Sequence, residues 1–171
     1  LPLPYQGAYV VSLKFGLIPE SKRAGAVNHL CRLIEENGTR LDTGFLSVPF
    51  LLDVLCENRH RDLAMRLLFQ TECPSWLYMV EHGATTIWES WDCISPEGKV
   101  GSYSYNHYAF GCVGDWLYRE IAGVQNLEPG YRRVRLCPGI DSGLSWARTS
   151  HRTPQGWLAF EWHKEGGKIQ V

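Results

Sequence analysis

The hydrophobic period of this chain changes once, and the change fixes its class. Up to about Ile121 apolar residues recur at helical spacing; after Glu128-Pro129-Gly130 they alternate. A helical part followed by an antiparallel part is therefore expected, with residues 1–126 forming the first domain and 127–171 the second.

Within the helical part the cleanest stretch is Glu20–Asn37. Val27, Leu30, Cys31 and Ile34 share one face, Lys22, Arg23, Arg32, Glu35 and Glu36 lie elsewhere, and Gly38 supplies a left-handed stop. Gln6 to Phe15 reads as a preceding helix, with Ala8, Val11 and Phe15 inward, and pairs with it across Leu17-Ile18-Pro19. Ser47 is expected to cap Val48–Cys56 and Asp62 to cap Leu63–Gln70, so the short Glu57–Arg61 connection makes a second hairpin. Ser75–Glu81 suits one short helix, and Ala84–Asp92 fits strand or turn equally. Asn106 then opens a helix through Ile121 that is ended by Gly123, with Phe110, Val113, Leu117 and Ile121 inward. Successive helical hairpins of this kind suggest part of an α/α solenoid or toroid.

The alternating part predicts strands at Tyr131–Cys137, Leu144–Ser150, Trp157–His163 and Lys168–Val171. Leu158, Phe160 and Trp162 lie on one side, and Thr153-Pro154-Gln155-Gly156 and Gly166-Gly167 serve as turns. The last alternating run reaches Val171, so the sheet is expected to be incomplete.

Composition narrows the function classes. With 44% hydrophobic and 12% aromatic residues there is ample material for a core, and no window carries the run of about 18 uncharged apolar residues that a membrane helix needs. Seventeen basic against 18 acidic residues give a net charge of −1, which argues against nucleic acid. Most of Arg132, Arg133, Arg135, Arg148 and Arg152 are read as the solvated side of strands. The six cysteines (Cys31, Cys56, Cys73, Cys93, Cys112, Cys137) contain no C-x-x-C pair to hold a metal or a redox centre, and no cofactor is expected. They are taken as free thiols, which leans toward a reducing, cytoplasmic compartment. Asn37-Gly38-Thr39 matches a glycosylation sequon but doubles as the helix stop. The Leu1-Pro2-Leu3-Pro4 start looks like the middle of something longer.

Chemistry then falls to carboxylates and aromatics, since no serine-nucleophile elbow, zinc-protease helix, phosphate loop or dinucleotide fingerprint occurs. In Gly83–Asp92 two indoles, Trp88 and Trp91, bracket Glu89, with Asp92 beside them. Two readings stand open: indoles in the core with a carboxylate that caps or pairs, or a catalytic acid or base in a partly dry pocket of the kind that binds sugars. The second cluster is Ser104-Tyr105-Asn106-His107-Tyr108. With Asn106 as cap, His107 would sit in a first helical turn, where the positive helix end disfavours imidazolium and leaves a neutral ring able to bond a hydroxyl. A histidine satisfied by local backbone is the alternative. Asp42-Thr43-Gly44-Phe45 is a loop between helical pairs, either a plain turn or part of a ligand-facing end.

Several of these segments are similar to consecutive blocks of bacterial α-L-rhamnosidases, the inverting glycoside hydrolases of family 78. The blocks are Thr43-Gly44-Phe45-Leu46 with Val48-Pro49, Leu55-Cys56-Glu57-Asn58 with Leu63-Ala64, Pro74 to Met79, Gly83 to Glu89 with Trp91-Asp92, and Asn106 to Gly111. The resemblance implies a partial six-hairpin α/α toroid followed by an incomplete antiparallel β-sandwich, cut at both ends. It implies hydrolysis, with inversion, of terminal α-L-rhamnosyl groups from a glycoside or polysaccharide. Glu89 matches the general base and His107 a rhamnose contact; Trp88, Trp91, Asp92 and Asn106 fall in the same substrate-binding blocks. The family's general acid lies upstream, in a block that nothing before Asp42 matches, so this chain by itself is expected to be inactive. A partial toroid leaves helix faces uncovered, so association with itself or with the missing toroid half is expected. Two competitors are a carbohydrate-binding relic and a toroid enzyme acting on another sugar.

Overall fold

The computed structural model describes residues 3–171, and Leu1-Pro2 lies outside them. It divides into two compact units, Leu1–Cys112 and Val113–Val171. The change of hydrophobic period falls later than this division, because the helical turns after Val113 pack against strands rather than against helices.

The first unit is built from helical hairpins. Helix α1 (Gln6–Lys14) packs against α2 (Glu20–Glu36) and α3 (Val48–Glu57), and α3 packs against α4 (Arg61–Leu68). Helix α2 buries Val27, Leu30, Cys31 and Ile34 as expected, and Gly38 ends it at φ 68°. Helix α1 turns a different face inward. Gln6, Val10 and Leu13 are buried while Phe15 is exposed, because its Val10-Val11 and Leu13 positions offer apolar atoms on more than one side and the neighbours decide. Ser47 precedes α3 but its hydroxyl donates to the Gly44 carbonyl instead of capping, and Asp62 lies within the first turn of α4 rather than before it. Ser75, by contrast, accepts from the Tyr78 N–H at 3.1 Å and caps α5 (Trp76–Glu81).

The helix expected from Asn106 to Ile121 is not continuous. Asn106 and His107 precede any helical turn; a 3-10 turn covers Ala109–Cys112, then α6 (Val113–Trp116), then a π-helical turn at Leu117–Ala122. Gly111 and Gly114 interrupt the run, and each costs about 1 kcal/mol relative to alanine inside an α-helix. Leu117 is consequently part-exposed rather than inward, whereas Phe110 and Ile121 are buried.

In the second unit the π turn ends at Gly123, with φ 90°. A Cβ there would stand 2.2 Å from the Cys137 carbonyl oxygen, so only glycine fits. The chain continues into β1 (Val124–Asn126), which pairs antiparallel with β2 (Val134–Leu136). A separate antiparallel sheet holds β3 (Trp146–Thr153), β4 (Gly156–Glu165) and β5 (Lys168–Gln170) in that order. The expected meander is thus split into two sheets, and β1 was too short to show a period. The alternation on β4 holds: Trp162 is fully buried, with Leu158 and Phe160 half-buried on its side. Its indole N–H donates to the Ile121 carbonyl at 3.0 Å, and the Gly139 N–H reaches the same oxygen at 3.2 Å. A helix end leaves carbonyls without intrahelical donors, and the sheet unit supplies them here.

Candidate active site

Residues 87–95 and 99–107 run antiparallel as an irregular hairpin without regular strands. Its arms are tied by main-chain bonds: Glu89 N–H to Ser104 O at 2.9 Å, His107 N–H to Ile87 O at 2.8 Å, and Gly101 N–H to Cys93 O at 2.7 Å. Glu89 therefore sits on one arm and His107 on the other.

Glu89 is half-buried as a residue, and its Oε2 accepts from the Ser104 N–H at 2.8 Å. Among the described residues it forms no ion pair, so the pairing alternative has no cation to rest on. A carboxylate oriented by one amide, with its remaining lone pairs unclaimed by any cation, is equipped to take a proton from water. Asn106 is exposed, and Ser104 Oγ bridges its N–H and its carbonyl at 3.2 Å each. Asp92 is also exposed and accepts from the Ser90 hydroxyl.

Trp88 and Trp91 are buried, at 3% and 9% exposure. Trp88 meets Tyr105 edge-on, whereas Trp91 stacks on Phe110 at 3.6 Å, meets Trp76 edge-on, and donates its indole N–H to Thr43 O at 3.1 Å. Both indoles are thus packed into the interior of this unit. The Asp42–Phe45 loop is tied to the hairpin by the bond from Trp91 to Thr43. Phe45, 42% exposed, lies nearly parallel to the His107 ring at 4.8 Å. His107 accepts from the Ala109 N–H through Nδ1 at 3.3 Å, so local backbone, not a helix terminus, sets its hydrogen bonding.

Matches to known families decide what this arrangement belongs to. The family model described as bacterial alpha-L-rhamnosidase 6 hairpin glycosidase domain matches residues 4–121, and that of the bacterial alpha-L-rhamnosidase C-terminal domain matches 123–171. The chain belongs to the bacterial α-L-rhamnosidase six-hairpin family. Its helical hairpins are part of a six-hairpin α/α toroid, and its strands part of the C-terminal β domain.

Among rhamnosidase relatives, the α-L-rhamnosidase of Streptomyces avermitilis is 41% identical over 165 residues, covering 95% of this chain and 16% of that protein. One from an Alteromonas species is 40% identical over 160 residues, covering 92% and 17%. The crystal structure of the Streptomyces avermitilis enzyme complexed with L-rhamnose superposes with a TM-score of 0.89 at 40% identity, covering 97% of this chain and 16% of that one. The native Aspergillus terreus enzyme gives 0.87 at 35% identity, covering 96% and 20%. The chain thus spans about a sixth of the length of its curated relatives.

Three supporting residues act in ways that the sequence does not show. Ser104 acts on Glu89 through its main chain, which no side-chain pattern reveals. Gln6, 1% exposed, donates to Arg40 O and accepts from the Asp42 N–H, both at 3.0 Å, fixing the start of the Phe45 loop from α1. Phe45 stood inside a noted motif, but its ring partner is remote in sequence.

Proposed function

We propose that this chain forms part of an inverting α-L-rhamnosidase in which Glu89 is the general base. As water attacks the anomeric carbon, the Glu89 carboxylate takes a proton from it. A separate acid gives a proton to the departing glycosidic oxygen, and rhamnose leaves with the opposite anomeric configuration. The acid must stand roughly 6.5–9.5 Å from the base to leave room for that water, and in this proposal it comes from a part of the toroid beyond these residues. His107 and Asn106 contact the sugar, with Asp92 at the rim; Trp88 and Trp91 shape the pocket from below. The substrate class is a rhamnose-bearing glycoside or polysaccharide.

The observation that carries this reading is Glu89 itself: a half-buried residue whose carboxylate is held by one amide and free of any ion pair among the described residues. Exposed Leu17, Leu46 and Val80 in the helical unit support packing against further hairpins or a second copy, which sedimentation of the 171-residue chain tests.

The activity test is a chimera in which this chain replaces the matching segment of the Streptomyces avermitilis enzyme. It should release 4-nitrophenol from 4-nitrophenyl α-L-rhamnoside, with the β-anomer of rhamnose seen first by NMR. Glu89→Gln should lower kcat by about 10²-fold or more with KM nearly unchanged, whereas the 171 residues alone should be inactive. A Glu89→Gln chimera within fivefold of its parent removes Glu89 from the role. A folded chimera that binds L-rhamnose without turnover favours the carbohydrate-binding relic.

A further inference from the structure

The two ring nitrogens of His107 are not equivalent. Nδ1 accepts the Ala109 N–H at 3.3 Å, which requires a bare lone pair there, so the ring proton of the neutral imidazole sits on Nε2. The ring plane is set by its neighbours. Phe45 lies at 4.8 Å and 16° from it, and Tyr108 at 5.1 Å and 13°. Tyr108 is 87% exposed and adjacent in the chain, so it brings little rigidity of its own. Phe45 is anchored. Its ring contacts Phe110 at 5.1 Å, Phe110 stacks on Trp91 at 3.6 Å, and Trp91 donates to Thr43 O, two residues before Phe45. The indole that backs the aromatic column also pins the loop at its other end.

We propose that Phe45 is a positioning residue that holds His107 in a single tautomer and orientation, presenting Nε2–H as a fixed hydrogen-bond donor to a sugar hydroxyl. A 180° ring flip would place a carbon where Nδ1 now accepts, leaving the Ala109 N–H unpaired; stacking on Phe45 keeps the ring in plane, so the donor direction is set before ligand arrives. A fixed donor recognises a hydroxyl oxygen and discriminates against a deoxy position, where Nε2–H would be left unpaired. The identity of the sugar rests on the rhamnosidase reading; the tautomer and the stacking do not.

The test needs no activity. In the 171-residue chain labelled with ¹⁵N-histidine, at pH 8 and with His107→Gln used for assignment, Nδ1 of His107 should resonate as the unprotonated nitrogen and Nε2 as the protonated one. Phe45→Leu should move both shifts toward the average of two tautomers without changing the far-UV circular dichroism, and Phe45→Tyr should restore them. In the chimera, Phe45→Leu should raise KM about tenfold with kcat within threefold. A proton on Nδ1 of the parent chain, or Phe45→Leu shifts identical to the parent's, overturns the proposal. An inactive chimera would count against the rhamnosidase reading and leave the nitrogen shifts to decide this one.

Discussion

Glu89 and Ser104 hold each other twice: the Glu89 N–H donates to the Ser104 carbonyl at 2.9 Å, and the Ser104 N–H donates to Glu89 Oε2 at 2.8 Å. Both bonds use Ser104's main chain, so its side chain is dispensable to them. In the chimera, Ser104→Ala should stay within about threefold of parental kcat, losing only the bridge to Asn106. Glu89→Asp, one methylene shorter, cannot keep the bond to the Ser104 N–H and reach the water as before, and should lose about 10-fold to 10²-fold. Steady-state kinetics on 4-nitrophenyl α-L-rhamnoside decides, and a Ser104→Ala loss as large as that of Glu89→Asp would contradict the main-chain account.

Gln6 satisfies one donor and one acceptor of the 40–42 loop from a buried position. Gln6→Met keeps much of the shape and leaves the Asp42 N–H and the Arg40 carbonyl without their partner. The helical unit should lose about 2 kcal/mol, read as a lower urea midpoint with an unchanged slope. A change below about 0.5 kcal/mol would mean that solvent replaces the amide.

Gly123 joins the π turn to β1 at a positive φ and in contact with the Cys137 carbonyl. Gly123→Ala adds strain and collision together and should cost more than about 3 kcal/mol. Hydrogen exchange should show the strands losing protection while α2 keeps its own; equal protection in both proteins would show that the backbone relaxes at no cost.

The cysteines lie in differing surroundings, with Cys137 exposed and Cys31 and Cys93 buried. Burial pushes the Cys31 thiol above its ordinary range, helped by the Glu35 charge, and burial with the Asp92 charge does the same at Cys73. A raised value means less thiolate at a given pH, hence slower attack on a disulfide reagent. With Ellman's reagent at pH 8, Cys137 should react first, Cys73 should accelerate as pH rises further, and all six should react in urea without reductant. Fewer than six in urea would reveal a disulfide.

Where charge and apolar residues segregate cleanly, as along α2, the inward face could be read directly from the sequence. Along α1 they do not segregate, and contact with α2 and α3 selected Val10 and Leu13 over Val11 and Phe15. From Asn106 to Ile121 the apolar spacing looked helical, but two glycines and the carbonyl acceptors at Ile87 and Ile121 drew the backbone into three kinds of turn. At the site, Glu89 stood out because a carboxylate between two indoles is chemically unusual. The indoles themselves are buried, with Phe110 and Trp76 packed on Trp91 and Tyr105 on Trp88. The contact of Phe45 with His107 joins positions 62 apart (107 − 45) and depends on the buried column between them, which no local pattern encodes.

The Ile121 oxygen, which receives both the Trp162 indole and the Gly139 amide, makes one carbonyl a keystone of the strand-bearing unit. Pulling β4 away strips the Ile121 oxygen of the Trp162 indole, and unwinding the π turn removes the seat of Trp162. Turn and sheet should therefore melt in a single cooperative step, and an excised β3–β4 ribbon should be unable to keep its shape in isolation.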